Sequence, residues 1–330
     1  MTPASRSERR YTFGPVPSRR LGLSLGVDVV PYKLCTLDCL YCELGPTTDP
    51  GVTRGEHAPP DQVLAELRQV LEHGPTPEWI TFSGSGEPTL HLRLGEMITA
   101  VKADTAIPVA VLTNGTLLWD PVVQRDLSLT DLVVPSLDAG SEETFRRVNR
   151  PTMPGLTLEI LVSGIAAFTE GFPGQVWLEV LLLDGSGSEP RELELLAGHI
   201  RRIRPHRVQL GTLARPPAHA AARPMEAEQL EEVQRQLQEQ VGEIPVEGML
   251  PPRHQAPDAA AGTPAAASAA ESVLAYLRRR PGTVEDLATS LGQSVPEIEE
   301  ILHRPSLDRR LRRRTTGGQV YLELEDREQG

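Results

Sequence analysis

The amino-acid sequence predicts an α/β fold: a partial (β/α)6 TIM-like barrel over residues 12–250, followed by a small winged-helix-like C-terminal domain. Three observations carry this expectation. Six short β-rich runs alternate with amphipathic helical stretches. The strands are continuous apolar runs rather than clean apolar–polar alternations, the pattern of a parallel sheet covered by helices. Beyond them, a Pro/Ala-rich stretch precedes a second set of short helices that ends in a hairpin pattern. Six units are too few for a full eight-fold barrel. In open or partial barrels of this kind the chemistry sits at the C-terminal ends of the strands.

Taken in order, Ser24–Val30 is the first strand, and a cysteine-bearing segment follows it. Pro60–His73 is a helix, with Val63, Leu64, Leu67, Val70 and Leu71 at helical spacing. Trp79–Ser83 is a strand that runs into glycines. A helix over Leu92–Lys102, strand Pro108–Leu112, helix Pro121–Leu129 and strand Asp131–Ser136 come next. The helical region Glu142–Glu170 is interrupted near Pro151 and Pro154. Strand Val176–Leu183, helix Glu189–Arg204, strand Arg207–Leu210 and helix Glu226–Val241 complete the alternation. Residues 251–270, with few large apolar side chains, read as a linker. In the domain at 271–326, Glu271–Arg280, Val284–Leu291 and Val295–Leu302 are three short helices. Gly292 turns the second into the third, and Ser294 with Glu297 forms a capping box. Arg312–Arg314 and Val320–Leu324 are two strands around Gly317–Gly318.

Composition bounds the function. Of 330 residues, 39% are hydrophobic and 28 are glycine, so the chain can bury a large core and wholesale disorder is excluded. With 33 Lys and Arg against 45 Asp and Glu, the net charge of −12 excludes a non-specific coat for nucleic acid, though not a local basic patch. No apolar run reaches the roughly 18 residues of a membrane helix. The N-terminal stretch Met1–Arg10 is polar and lacks the apolar core of a secretory signal. The three cysteines all lie between Cys35 and Cys42, an odd number at a spacing poorly suited to disulfides. The reducing cytoplasm is the expected compartment.

Cys35-x3-Cys39-x2-Cys42 is the sharpest feature. Three thiolates on one short loop can face a single metal centre. Structural zinc takes four protein ligands, and His57 is the nearest histidine for a Cys3His set. A 4Fe–4S cluster with three cysteines leaves one iron open to an exogenous ligand. Three unbound thiols are the blandest account. The other informative segments also fall just after strands: Gly84-Ser85-Gly86-Glu87-Pro88, Thr113-Asn114-Gly115 and Ser136-Leu137-Asp138. Alone, the first is a Gly/Ser turn and the second an Asn-Gly turn. In the third, Asp138 could cap the next helix.

The octapeptide Cys35-Thr36-Leu37-Asp38-Cys39-Leu40-Tyr41-Cys42 resembles the signature of the radical S-adenosylmethionine (SAM) superfamily. The longer stretch Gly14–Gly45 is similar to one branch of it, stand-alone proteins related to archaeal wyosine-base synthases, which modify guanosine in tRNA. The resemblance covers roughly residues 12–250. It implies one 4Fe–4S cluster on Cys35, Cys39 and Cys42, with SAM chelating the open iron through its amine and carboxylate. Reduction would break the C5′–S bond and leave a 5′-deoxyadenosyl radical that abstracts hydrogen from a substrate. By the same resemblance, Tyr41 packs on the adenine. The segment Gly84, Gly86, Glu87 and Pro88 binds the SAM amine, Thr113 and Asn114 contact the cofactor, and Ser136 and Asp138 contact ribose and carboxylate. The implied activity is that of an oxidoreductase supplied by an electron donor such as a flavodoxin or ferredoxin.

Several residues qualify this picture. Wyosine-base synthases use a second cluster and a Schiff-base lysine. This chain has no further cysteine. Of its only two lysines, Lys33 lies just before the cysteine loop and Lys102 at the polar end of a surface helix. Neither is expected to have the desolvated pocket a Schiff-base lysine needs, so the wyosine reaction itself is disfavoured. The substrate is left open, with RNA one candidate. Glu179, inside an apolar strand, points into the barrel or pairs with an arginine. Arg215 is placed to fix an anionic group, and Arg19 and Arg20 to line the cavity mouth or pair with carboxylates. A winged helix suggests DNA, yet its third helix carries Glu297, Glu299 and Glu300, which phosphates would repel; DNA binding is not expected. Arg309, Arg310 and Arg312–Arg314 offer the basic surface instead. The competing reading is an iron–sulfur-dependent nucleic-acid-binding regulator.

Overall fold

The computed structural model describes residues 10–18, 20–47, 49–50, 53–217, 219–249, 266–279, 281–316 and 319–325. Strand β1 (Thr12–Ser18) turns back as β2 (Gly22–Val27), and two-residue strands β3 (Leu34–Cys35) and β4 (Asp49–Pro50) pair with each other beside the cysteine loop. The barrel then alternates through α1 (Pro60–His73), β5 (Trp79–Phe82), α2 (Leu94–Asp104), β6 (Val109–Thr113), α3 (Pro121–Leu127) and β7 (Leu132–Pro135). It continues through α4 (Glu142–Val148), α5 (Leu158–Gly171), β8 (Gln175–Leu181), α6 (Pro190–Ile203), β9 (Arg207–Gly211), α7 (Ala227–Val241) and β10 (Val246–Met249).

The sheet runs β1-β2-β5-β6-β7-β8-β9-β10, parallel throughout except for the β1–β2 hairpin. The six expected strands are all present in sequential order, and the sheet gains one strand at each edge. Both additions are poor strand formers on paper. β1 carries Gly14, Pro15 and Pro17, and β10 is a four-residue run with Glu247 and Gly248. Edge positions tolerate such residues because one side of the ladder is left unpaired. The first barrel strand also ends at Val27 rather than Val30.

Two layers of packing follow from the strand period. Outward side chains such as Leu25, Ile80, Phe82, Val111, Val133, Val176 and Val208 are buried against the helices in the main core. The concave face is only partly filled. Leu21, Ala110, Leu132 and Val134 plug it with Trp79 and Trp177, whose rings meet edge-to-face at 6.5 Å. In β8, Val176, Leu178 and Val180 are buried while the concave-facing Trp177, Glu179 and Leu181 are partly exposed. Solvent therefore reaches the inside of the sheet toward its C-terminal end.

The C-terminal segment has a core of its own, built from α8 (Ala266–Arg279), α9 (Val284–Leu291), α10 (Val295–Leu302), the short α11 (Pro305–Asp308), β11 (Leu311–Thr316) and β12 (Gln319–Leu324). Helix α8 starts at Ala266, inside the stretch read as linker, whose residues 251–265 lie outside the described residues, as do Gly317 and Gly318. Both Thr283/Asp286 and Ser294/Glu297 form capping boxes. The hairpin touches the barrel: Arg314 Nη1 donates to Pro217 O at 3.2 Å and the Tyr321 hydroxyl to Ala214 O. Among the described residues, no helix is long and apolar enough to cross a membrane.

His91 is a buried titratable group that ties the β5–α2 connection down. It is 0% exposed, with Nε2 2.9 Å from Ala58 O and Nδ1 accepting from Arg93 N at 3.1 Å. Burial lowers its pKa below 6.5, so the folded ring stays neutral where the unfolded chain takes up a proton. The stability this contributes is present above pH of about 6.5 and is lost as pH falls through the folded value. Thermal unfolding followed from pH 8 to pH 5 is expected to show that loss, and His91→Gln to flatten the slope.

Candidate functional site

Three loops at the C-terminal ends of β2, β5 and β6 meet under the cysteines. The cysteine loop and the glycine loop after β5 are laced by backbone bonds: Lys33 N donates to Ser85 O at 2.6 Å and Glu87 N to Leu34 O at 2.9 Å. This approach requires glycine. A Cβ on Gly86 would lie 2.2 Å from Leu34 O, and Gly84, at φ +144°, would place one 2.5 Å from the Asp28 side chain. The glycines thus bring one loop against another. Ser85 also donates to Asp28 Oδ2 at 2.5 Å.

Glu87 is buried and spends both oxygens within the protein. Oε1 accepts from Thr89 N, Thr89 Oγ1 and Thr113 Oγ1, while Oε2 accepts from Asn114 N at 2.7 Å. Burial raises its pKa, and those donors offset part of the rise. Pro88 begins a short 3-10 helix over Pro88–Leu90 behind it. Asn114 reaches back to the cysteine loop, with Nδ2 2.8 Å from Thr36 Oγ1 and 3.4 Å from Cys35 Sγ.

A fourth segment, residues 148–152 at the end of α4, completes the frame. Leu40 N donates to Val148 O at 2.9 Å, Thr152 N to Thr36 O at 2.9 Å, and Arg150 pairs with Asp38 at 2.7 Å. Asn149 Nδ2 donates to Asp138 Oδ2 at 2.7 Å and lies 3.7 Å from Cys39 Sγ. The Tyr41 hydroxyl also donates to Asp138 Oδ2, and Leu181 N donates to Oδ1 at 2.8 Å. Asp138 is therefore held inside the protein, its pKa raised by burial against those three donors. Asn149 Oδ1 is buried beside them and has no hydrogen-bond partner. Sequence reasoning missed Asn149; its place after a short helix and before Pro151 suggested only a break.

Each cysteine keeps some exposed surface. Burial nevertheless pushes the Cys35 thiol up to about 12, with the Glu87 carboxylate adding to the effect, and carries Cys39 well above its usual value. Lys33 is 2% exposed, with Nζ 3.1 Å from Cys42 Sγ. Burial opposes its charge, yet Cys42, then Cys35 and Cys39, carry its pKa above 10.5. The lysine sits in the desolvated surroundings that the sequence did not reveal, committed to a sulfur. Such thiols deprotonate when a metal binds them.

Ser136 lies one step away, its hydroxyl 3.3 Å from Glu179 Oε2. Glu179 satisfies both sequence expectations, since it faces the concave side and pairs with Arg20. Arg19 is outside the described residues. Arg215, expected to hold an anion, is paired with Glu43 at 3.1 Å and Asp286 of α9 at 3.8 Å. Lys102 pairs with Asp131 at 2.7 Å on the surface.

The donor set suits an iron–sulfur cluster. Three sulfurs from one loop are met by N–H donors from three different segments, and an orphaned acceptor, Asn149 Oδ1, lies among them. Among the described residues, no three Cys, His, Asp or Glu side chains are placed to hold a single metal ion. A cluster distributes thiolates over several irons and asks for no such convergence.

A mostly parallel, open α/β sheet with a three-cysteine loop at its C-terminal edge defines a class, and the comparisons agree with it: the Radical SAM superfamily description matches residues 29–195, and the chain belongs to that superfamily. It is 32% identical over 218 residues to a UPF0026 protein of Methanocaldococcus jannaschii, covering 66% of this chain and 67% of that one. It is also 34% identical over 301 residues to a protein of Brachyspira hyodysenteriae named GTPase Obg, covering 91% of this chain but only 43% of that longer protein. Among solved structures, a radical SAM methyltransferase from Sphaerobacter thermophilus superposes with a TM-score of 0.53 at 21% identity, over 69% of this chain and 66% of that one. That likeness concerns the fold. Membership in the superfamily implies a 4Fe–4S cluster and SAM as cofactors.

Gly86→Ala is expected to lower stability by about 1–3 kcal/mol, the cost of overpacking, and to reduce iron uptake on anaerobic reconstitution. Gly171→Ala, where nothing lies within 4 Å of the added methyl, serves as the unaffected control. Chemical denaturation and iron-to-protein ratios read both effects.

Proposed function

We propose that this chain is a radical SAM enzyme that holds a single 4Fe–4S cluster on Cys35, Cys39 and Cys42 and cleaves SAM reductively to act on a C–H bond of a polar substrate. When bound, the cofactors supply the electron and the 5′-deoxyadenosyl radical; the protein positions them and excludes competing reactions. The observation that carries the reading is the convergence of the cysteine loop, the glycine loop and the β6 and β7 strand ends on one place.

In this reading Tyr41 supports the adenine while its hydroxyl stays on Asp138. Asn149 Oδ1, buried and without a partner, accepts from a SAM donor such as the ammonium or a ribose hydroxyl. Glu87, Thr113 and Asp138 fix the walls through bonds that tie neighbouring segments together, and Gly84 and Gly86 let the loops close. Ser136 and the Arg20–Glu179 pair face the space where substrate would lie. An electron donor of the flavodoxin or ferredoxin class and the cytoplasm as compartment belong to the same proposal. RNA stays a candidate substrate, since the winged-helix-like hairpin exposes Arg312 and Arg313, although these lie near Glu323 and Asp308. The regulator reading is not favoured: Glu297, Glu299 and Glu300 on α10 are exposed where a DNA backbone would lie.

The test is direct. Protein reconstituted anaerobically with iron and sulfide, then given dithionite and SAM, is expected to release 5′-deoxyadenosine and methionine, measured by liquid chromatography and mass spectrometry. Cys39→Ala is expected to abolish release. A fully loaded wild-type cluster that cleaves no SAM, or zinc without acid-labile sulfide, overturns the reading.

A further inference from the structure

The N–H groups around the three sulfurs are not equivalent. Cys35 faces the neutral amide of Asn114 at 3.4 Å and Cys39 that of Asn149 at 3.7 Å. Cys42 faces an ammonium, Lys33 Nζ, at 3.1 Å. Lys33 is one of only two lysines in the chain. Its φ of +59° is a left-handed conformation uncommon for a side chain of this kind. The backbone bond from Lys33 N to Ser85 O at 2.6 Å holds it there, so the glycine loop fixes where the lysine points. Among the described residues no carboxylate pairs with it. A buried ammonium without a counter-charge is costly, and the sulfur it touches, Cys42 Sγ, becomes negative once it ligates metal.

We propose that Lys33 is a positioning residue for electron entry: its ammonium, held on the Cys42 sulfur, raises the reduction potential of the cluster and makes it easier to load with an electron. The proposal rests on the reading that Cys35, Cys39 and Cys42 hold a 4Fe–4S cluster. The step is a one-electron reduction of the cluster core from the 2+ to the 1+ state by a low-potential one-electron donor; no bond to Lys33 forms or breaks and no proton leaves it. Three thiolates around a 2+ core leave a net charge of −1, and reduction makes it −2. A fixed positive charge beside one ligand therefore stabilises the reduced form more than the oxidised one. Hydrogen bonds and net charge at the sulfurs are among the main determinants of cluster potentials.

Wild type, Lys33→Met, Lys33→Gln and Lys33→Arg are to be reconstituted without SAM, assayed for iron and sulfide, and titrated with dithionite while electron paramagnetic resonance follows the reduced cluster. The expected result is a fall in midpoint potential for Lys33→Met of at least tenfold in the reduction equilibrium, about 59 mV for a one-electron couple. Lys33→Gln, which keeps a donor but not the charge, is expected to fall in between, and Lys33→Arg to recover most of the wild-type value. Equal potentials in wild type, Lys33→Met and Lys33→Gln at equal loading overturn the proposal and leave the cluster reading standing. Variants that all fail to load make Lys33 a structural residue and overturn it as well. Wild-type protein that takes up no iron and sulfide overturns the cluster reading, and this proposal with it.

Discussion

Burial holds two of the three thiols on one loop, Cys35 and Cys39, back from ionising, and the groups around the sulfurs answer that resistance. Burial holds Cys35 near 12 and Cys39 well above its usual value. Metal ligation needs the thiolate. The structure supplies Lys33 against Cys42 and amide donors against the other two sulfurs, and a bound cluster would contribute the remaining positive charge. A loop of three close negative charges without such partners would be driven to the neutral form or out into solvent.

Holding those donors in place is the work of the parallel sheet. Parallel strands all end on the same side, so the loops after β5, β6 and β7 arrive next to the loop after β2 without any long connection. Gly86 lets the first of them press against Leu34 O, and Glu87 then ties that loop to Thr113 and Asn114 on the next. Asp138 does the same further along, gathering Tyr41, Asn149 and Leu181. The two buried carboxylates are structural couplers between neighbouring strand ends. The concave face beyond them is plugged by Trp79 and Trp177 and stays open at Glu179, leaving room on the side where the loops converge.

Much of this was legible in the sequence because it depends on local pattern. Apolar runs gave the six parallel strands, Ser294 and Glu297 gave a capping box, and the spacing of Cys35, Cys39 and Cys42 picked out the loop on which the neighbouring segments converge. The edge strands β1 and β10 were not legible, since their Pro, Gly and Glu residues suit an edge only once a neighbouring strand exists. Asn149 could not be found from its neighbours in sequence: it matters because α4 ends against the cysteine loop, a contact between residues 110 positions apart. Lys33 and Arg215 were visible but misjudged for the same reason. The desolvation of Lys33 and the partners of Arg215 are set by loops that approach only in three dimensions.

The proposed centre of the site is a cluster with three protein ligands and one open iron, surrounded by unequal donors. Mössbauer spectroscopy of protein reconstituted with isotopically enriched iron tests it most directly. The predicted spectrum resolves one iron from the other three, and addition of SAM moves that one alone. Four irons indistinguishable with and without SAM, in a fully loaded protein, would contradict it.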